Sequence, residues 1–218
     1  MAITKTIQFG PGELVDTWID SGNPTINYET GTSAVLKGDK PALFRPNLAL
    51  YGLSKKIKII GFPTFEIYKT TSSHADTSTR VHCIPIKRDV VINQATWNIF
   101  STGNNWGTAG AKNVTDVLGG WILDGVANDS VISTNYINGT AAEWKTFNLP
   151  PSVFDGILGV GSGYFGWLLL VAQSDLGRTA TFAFADYTTD ITKRPKLTIT
   201  YEPYHKIFPI SAGLGQVR

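Results

Sequence analysis

Residues 131–149 read VISTNYINGTAAEWKTFNL. Apolar and polar side chains alternate on both sides of Asn138-Gly139, and a period of two marks a half-buried strand. An Asn-Gly pair supplies two positions of positive φ, so the stretch predicts a tight antiparallel hairpin. A second stretch, WLLLV at 167–171, is apolar throughout. It predicts a strand covered on both faces, or the central strand of a sandwich.

Working outward, the same type of run recurs along the chain. Strands are expected near 4–9, 15–20, 33–37, 42–51, 57–68, 80–86, 120–124, 131–137, 141–148, 166–173, 179–184 and 195–201. Clusters of Gly, Asn, Pro and Asp separate them. No window of fifteen residues carries a convincing 3.6 period. One short helix is expected near 150–158, in LPPSVFDGILG. Two prolines open it, Val153, Phe154, Ile157 and Leu158 give the i, i+3, i+4 spacing, and Gly159 can end it. A dozen strands without βαβ alternation predict an all-β chain, a single antiparallel β-sandwich of jelly-roll style. Residues 1–201 form that domain by this reading, and 202–218 a C-terminal arm. The arm contains Pro203, Pro209, Gly213 and Gly215, yet also apolar Ile207, Phe208, Ile210 and Leu214. Two readings stay open: the apolar residues pack back on the domain, or they dock on another chain.

Composition narrows the classes. The chain has 218 residues, 42 % hydrophobic and 17 % charged, which is ample material for a core and argues against wholesale disorder. A net charge of +2, with basic residues only in the short clusters KKIK (55–58) and KRPK (193–196), is a weak footprint for nucleic acid. Those lysines read as solvated strand ends. The longest apolar run, GYFGWLLLVA (163–172), is too short to span a bilayer. Cys83 is the single cysteine, so no intrachain disulfide forms, and its alternating run RVHCIPI predicts a buried thiol. The segment MAITKTIQFG lacks a basic region followed by an apolar one, so no secretory signal is expected, and the Asn113, Asn128 and Asn138 sequons read as chance matches.

Motifs for chemistry are sparse. Gly161, Gly163 and Gly166 match G-x-G-x-x-G, but the order around them is helix then strand, the reverse of a nucleotide-binding loop. His74, His82 and His205 have no ligand partners at metal spacing, and no metal or cofactor is expected. Asp16 and Asp20 lie four apart in VDTWID. On one strand they share a face and would suit a hydrolytic pair or calcium, although such acids more often cap strand ends. In QATWNIFSTGNNWGTAG (94–110), Trp97 reads as a core plug beneath a long loop. Trp106, between Asn and Gly, is the ring expected to face solvent. An exposed ring beside Asn104 and Asn105 would suit a sugar, with ring against C–H groups and amides at hydroxyls.

Several blocks, in order, resemble the DNRLRE domain family. They are DTWID (16–20), NPTINYETGTSAVLKGDK (23–40), RPNLALYGLSK (45–55), GFPTFEIYK (61–69), QATWNIFSTGNNWGTAGA (94–111) and ATFAFADYTTDITKRPKLTITY (180–201). The resemblance covers about residues 14–201. Leu50-Tyr51-Gly52 stands where the family has Phe-Asp, and Ala185-Asp186-Tyr187 where it has Ser-Arg-Glu. The resemblance implies a β-sandwich related to a class of carbohydrate-binding modules, without catalytic activity, found on bacterial surfaces, in polysaccharide-active enzymes and in phage structural proteins.

The combined expectation is a non-enzymatic virion protein with no catalytic residue, a head decoration or accessory protein assembled in the host cytoplasm. Ile207, Phe208, Ile210 and Leu214 would dock on the capsid or another virion protein. Homo-oligomerisation and contact with a host surface glycan fit this reading; nucleic acid and membrane do not. The alternative is a carbohydrate-binding module using Trp106, Asn104, Asn105 and Trp97.

Overall fold

The computed structural model describes residues 1–53, 56–73, 79–119, 133–137, 139–161, 163–172 and 177–203. Its strands are β1 (Ile3–Gln8), β2 (Leu14–Trp18), β3 (Ser33–Leu36), β4 (Ala42–Pro46), β5 (Ile57–Ser72), β6 (Thr79–Pro85), β7 (Ile99–Ser101), β8 (Asn104–Asn105), β9 (Ser133–Ile137), β10 (Glu143–Asn148), β11 (Trp167–Val171), β12 (Ala180–Ala183) and β13 (Lys196–Pro203). Two antiparallel sheets face each other. The first holds β1, β3, β5, β10, β12 and β13, and the second runs β2-β4-β11-β6-β9. From β1 to β6 each strand lies in the opposite sheet from the one before. Crossing at every connection is what gives the sandwich its jelly-roll character.

Register settles how the first sheet is laid out. Residues Thr64, Phe65 and Glu66 of β5 pair with β10 on one side and with β13 on the other, and Lys69 pairs with both β10 and β12. Strands β13 and β12 therefore lie end to end along one side of the long β5. Strands β1 and β3 continue the sheet beyond them.

The main core fills the space between the sheets. Phe65 is at its centre, fully buried, with Phe44 at 5.2 Å and Trp167 at 4.9 Å between ring centroids. Cys83 packs into this core, and burial pushes its thiol up from the ordinary value. The expected helix forms as a 3-10 turn at Pro151–Phe154 running into α1 (Asp155–Leu158). Gly159, at φ 67°, closes it. Gly166 has a different necessity. It sits at φ 144°, and an added Cβ would lie 2.2 Å from the carbonyl oxygen of Phe44. That backbone contact, not a phosphate, accounts for the last glycine of the G-x-G-x-x-G match.

Three expectations are corrected. Strands β9 and β10 flank Asn138-Gly139 but are not a hairpin: β9 pairs with β6 in the second sheet, and β10 with β5 in the first. The chain crosses between sheets there, and side chains close the edge. Lys145 Nζ donates to Tyr136 O at 2.6 Å, Asn135 Nδ2 to Thr146 O at 2.9 Å, and Asn148 N to Ser133 Oγ at 3.2 Å. The strand expected over 42–51 stops at Pro46, and Leu48–Tyr51 form a 3-10 turn. The last strand extends past 201 to Pro203. The expected strand at 120–124, His74, His205, the sequons at Asn128 and Asn138, and the arm residues Ile207, Phe208, Ile210 and Leu214 lie outside the described residues.

Phe65→Ala removes the ring that touches both Phe44 and Trp167. Urea unfolding is expected to show a loss of about 3–5 kcal/mol, the usual cost of an unfilled aromatic site in a core.

Candidate functional site

The second sheet needs a cover on its outer face. Alternate residues of β11 divide between two cores: Trp167, Leu169 and Val171 point between the sheets, and Leu168 and Leu170 point out. Residues 86–119 lie over that outer surface as a lid. Val90, Ile92, Ala95, Trp97, Trp106 and Val117 of the lid pack against Leu43, Ile84, Leu168 and Leu170 of the sheet.

This arrangement places the residues chosen from sequence. Trp97 is 8 % exposed and Trp106 4 %. Trp97 lies against Gly110, which sits at φ 85° and whose added Cβ would approach the ring to 2.6 Å. Lys112 Nζ lies 4.9 Å from the Trp97 ring centroid. Trp106 tilts against Phe100 at 5.6 Å, and its Nε1 donates to Thr96 O at 2.8 Å. Asn104 and Asn105 form β8, paired with β7, and are exposed. Asn104 Nδ2 is used locally, donating to Ser101 Oγ at 3.0 Å. Rings and amides that adjoin in the chain thus face opposite ways. The solvent-facing ring expected at Trp106 is turned inward because the sheet beneath it requires an apolar cover.

The lid has little regular structure, so its backbone donors need other partners. Asp116, fully buried, supplies them. Its Oδ1 accepts from Gly107 N at 2.9 Å and from Arg88 Nε at 3.1 Å, and its Oδ2 accepts from Thr108 N and Asn113 N, both at 3.3 Å. This carboxylate was not singled out from the sequence. Nothing in KNVTDV distinguishes it from an ordinary turn acid.

Asp16 and Asp20 do not form a pair. Asp16 points into the space between the sheets and accepts Ala185 N–H at 2.8 Å. Strand β2 ends at Trp18, and Asp20 lies in the following turn. There it accepts from Gly22 N at 2.8 Å, Asn23 Nδ2 at 3.1 Å and Lys40 Nζ at 2.8 Å. Burial pushes the Asp20 carboxyl up, and these donors more than offset it, leaving it below the ordinary value. The shared face needed for paired hydrolytic carboxylates or calcium ligands is lost with the strand.

The outer face of the first sheet carries a different array. On β5 and β10 the inward residues are Phe65, Ile67 and Phe147, so Tyr68 and Trp144 point outward. They meet edge to face at 5.3 Å. Lys193 Nζ lies 4.5 Å from the Tyr68 centroid, and Lys196 Nζ 4.0 Å from that of Trp144. Beyond them, Thr4 and Thr6 of β1 share hydroxyl hydrogen bonds of 2.9 Å with Thr200 and Thr198 of β13. The sequence does contain the signal, since TFEIYK and EWKTFN alternate and put both rings opposite the core residues. Their adjacency depends on the Trp144–Tyr68 register, which only the folded sheet supplies. The KRPK lysines, read as solvated strand ends, instead lie over rings. Two shallow cavities of about 360 and 300 Å³ lie beside Arg45 and Val15, and the smaller is also lined by Val90, Val91 and Ile92 of the lid.

Among the described residues no helix is long and apolar enough to cross a membrane. No protein-family model matches the chain, and no curated protein matches it.

Asp116→Ala leaves the Gly107, Thr108 and Asn113 N–H groups and the Arg88 guanidinium without their acceptor. The expected cost is about 1–3 kcal/mol, with the lid opening first. Hydrogen exchange is expected to accelerate at 96–117 while β5 and β13 keep their protection; uniform acceleration across both sheets would count against a separable lid.

Proposed function

We propose that the chain is a non-enzymatic structural protein of a virus particle, a phage head decoration or accessory protein that docks on the shell and holds its β-sandwich outward. The observation that carries this reading is how the chain uses its aromatic rings and acids. Trp97 and Trp106 seal the outer face of one sheet, Asp116 organises the lid above it, and Asp16 and Asp20 bind backbone in separate places. The groups suited to chemistry are engaged in holding two layers and a cover together. The apolar stretch Ile207–Leu214 follows the domain in sequence and is the segment we assign to docking on a shell protein. Mass spectrometry of purified particles from producing cells is expected to find the chain. Deleting residues 204–218 is expected to leave a folded domain, by circular dichroism, that no longer associates with particles. Absence of the full-length chain from particles, or undiminished occupancy after the deletion, overturns the reading.

A second reading, a carbohydrate-binding module, is favoured by the outer face of the first sheet rather than by the 104–106 loop. Two outward rings bordered by two ammonium groups suit an acidic polysaccharide, whose carboxylates or sulfates would meet Lys193 and Lys196 while its C–H surface meets ring edges. On a glycan array, saturable binding to acidic glycans is expected, at least about tenfold weaker in Trp144→Ala and unchanged in Asn105→Ala. Loss in Asn105→Ala alone would return the site to the loop, and no binding by the unaltered protein would remove the reading.

A further inference from the structure

We infer that Asp16 is a proton-operated latch between the two sheets. On β2 the inward residues Leu14 and Trp18 join the main core, and Asp16 lies between them on the same face, 1 % exposed. Its Oδ2 accepts the Ala185 N–H, just beyond the end of β12. One carboxyl group therefore ties the second sheet to the stretch where the chain leaves the first. Its Oδ1 is buried and meets no hydrogen-bond partner.

The surroundings suit a neutral carboxyl and oppose a charged one. Across the ladder Asp16 faces Phe44, and Phe184 packs 5.5 Å from Phe44 and 6.0 Å from Trp18. The charged groups that act on it are Asp186, next to the latched residue, and Glu29, both acids. Arg45, one position along β4 from Phe44, is engaged elsewhere, with Asp89 and Val90 O. Burial, only partly offset by the Ala185 N–H and reinforced by Asp186 and Glu29, holds the carboxyl well above the ordinary carboxylate range. Protonated, Asp16 keeps its bond to Ala185 without placing charge in the core. Ionised, it brings a bare oxygen and a third negative charge into an apolar gap.

The direction of the pH effect follows. Between the unfolded value, about 3.9, and the raised native one, the folded protein holds more protons than the unfolded chain. Stability therefore falls as pH rises through that window and levels off above it. The Ala185 N–H bond itself favours the ionised form, so the cost lies in charge held in an apolar gap, which unfolding relieves.

The latch is independent of either functional reading, and Asp16→Asn tests it. The amide retains an oxygen for Ala185 N–H and cannot ionise. Urea midpoints are measured from about pH 4 to about pH 8, below the range in which the Cys83 thiol contributes. In the unaltered protein the midpoint is expected to decline across this range by clearly more than it does in Asp16→Asn. Matching profiles overturn the latch. If Asp16→Asn does not fold, carbon NMR of the Asp16 carboxyl in the unaltered protein decides. Titration well above the ordinary range supports the latch. A carboxyl already ionised at about pH 5 overturns it.

Discussion

Strand β11 has no solvent face, and most of the molecule follows from that. All five residues of WLLLV are buried. A sandwich strand ordinarily offers one face to the partner sheet and the other to water. Here Leu168 and Leu170 carry apolar surface outward at the middle of a sheet, between β4 and β6. Each buried leucine contributes on the order of 2 kcal/mol only if something excludes water from it. The chain meets this with its own residues 86–119, so the second sheet lies between two hydrophobic clusters.

An irregular cover raises a second problem, since its peptide groups are not paired by a ladder. The solution is side-chain acceptance concentrated in few places. Asp116 receives three backbone N–H groups and a guanidinium, the Trp106 indole satisfies Thr96 O, and Asn27 Nδ2 reaches across to Ile92 O and Ala95 O at 2.8 and 2.7 Å. The polarity of NNWGTAG, which reads as a binding loop in isolation, reflects this requirement. Asparagines and glycines there serve a backbone that must turn sharply over a flat apolar surface, Gly110 beneath Trp97 being the tightest example.

Features set by local pattern were legible in the sequence. Period-two alternation located β1, β2, β3, β6, β10, β12 and β13 to within a few residues, and the proline pair with Gly159 located α1. The unbroken apolar run at 167–171 revealed a strand covered on both sides. What was not legible depends on which sheet a strand joins. Asn138-Gly139 fits a hairpin turn by residue type, yet the alternation on each flank is equally compatible with pairing to β6 and β5, and those longer partners prevail. Trp106 was misread for a related reason. Its neighbours are polar, and nothing within a few residues reveals that Leu168 and Leu170, sixty positions on, need a cover. Asp16 and Asp20 share a strand face only while the strand persists, and it ends between them.

The two outer faces consequently have different chemistry. That of the second sheet is covered by the lid, with two shallow cavities beside Arg45 and Val15. That of the first has its threonine hydroxyls paired across β1 and β13, and its rings bordered by Lys193 and Lys196. Hydroxyls already bonded to one another hold little affinity in reserve. Recognition on this face would therefore centre on the corner where Tyr68 and Trp144 meet the two ammonium groups, which brings apolar surface and positive charge together.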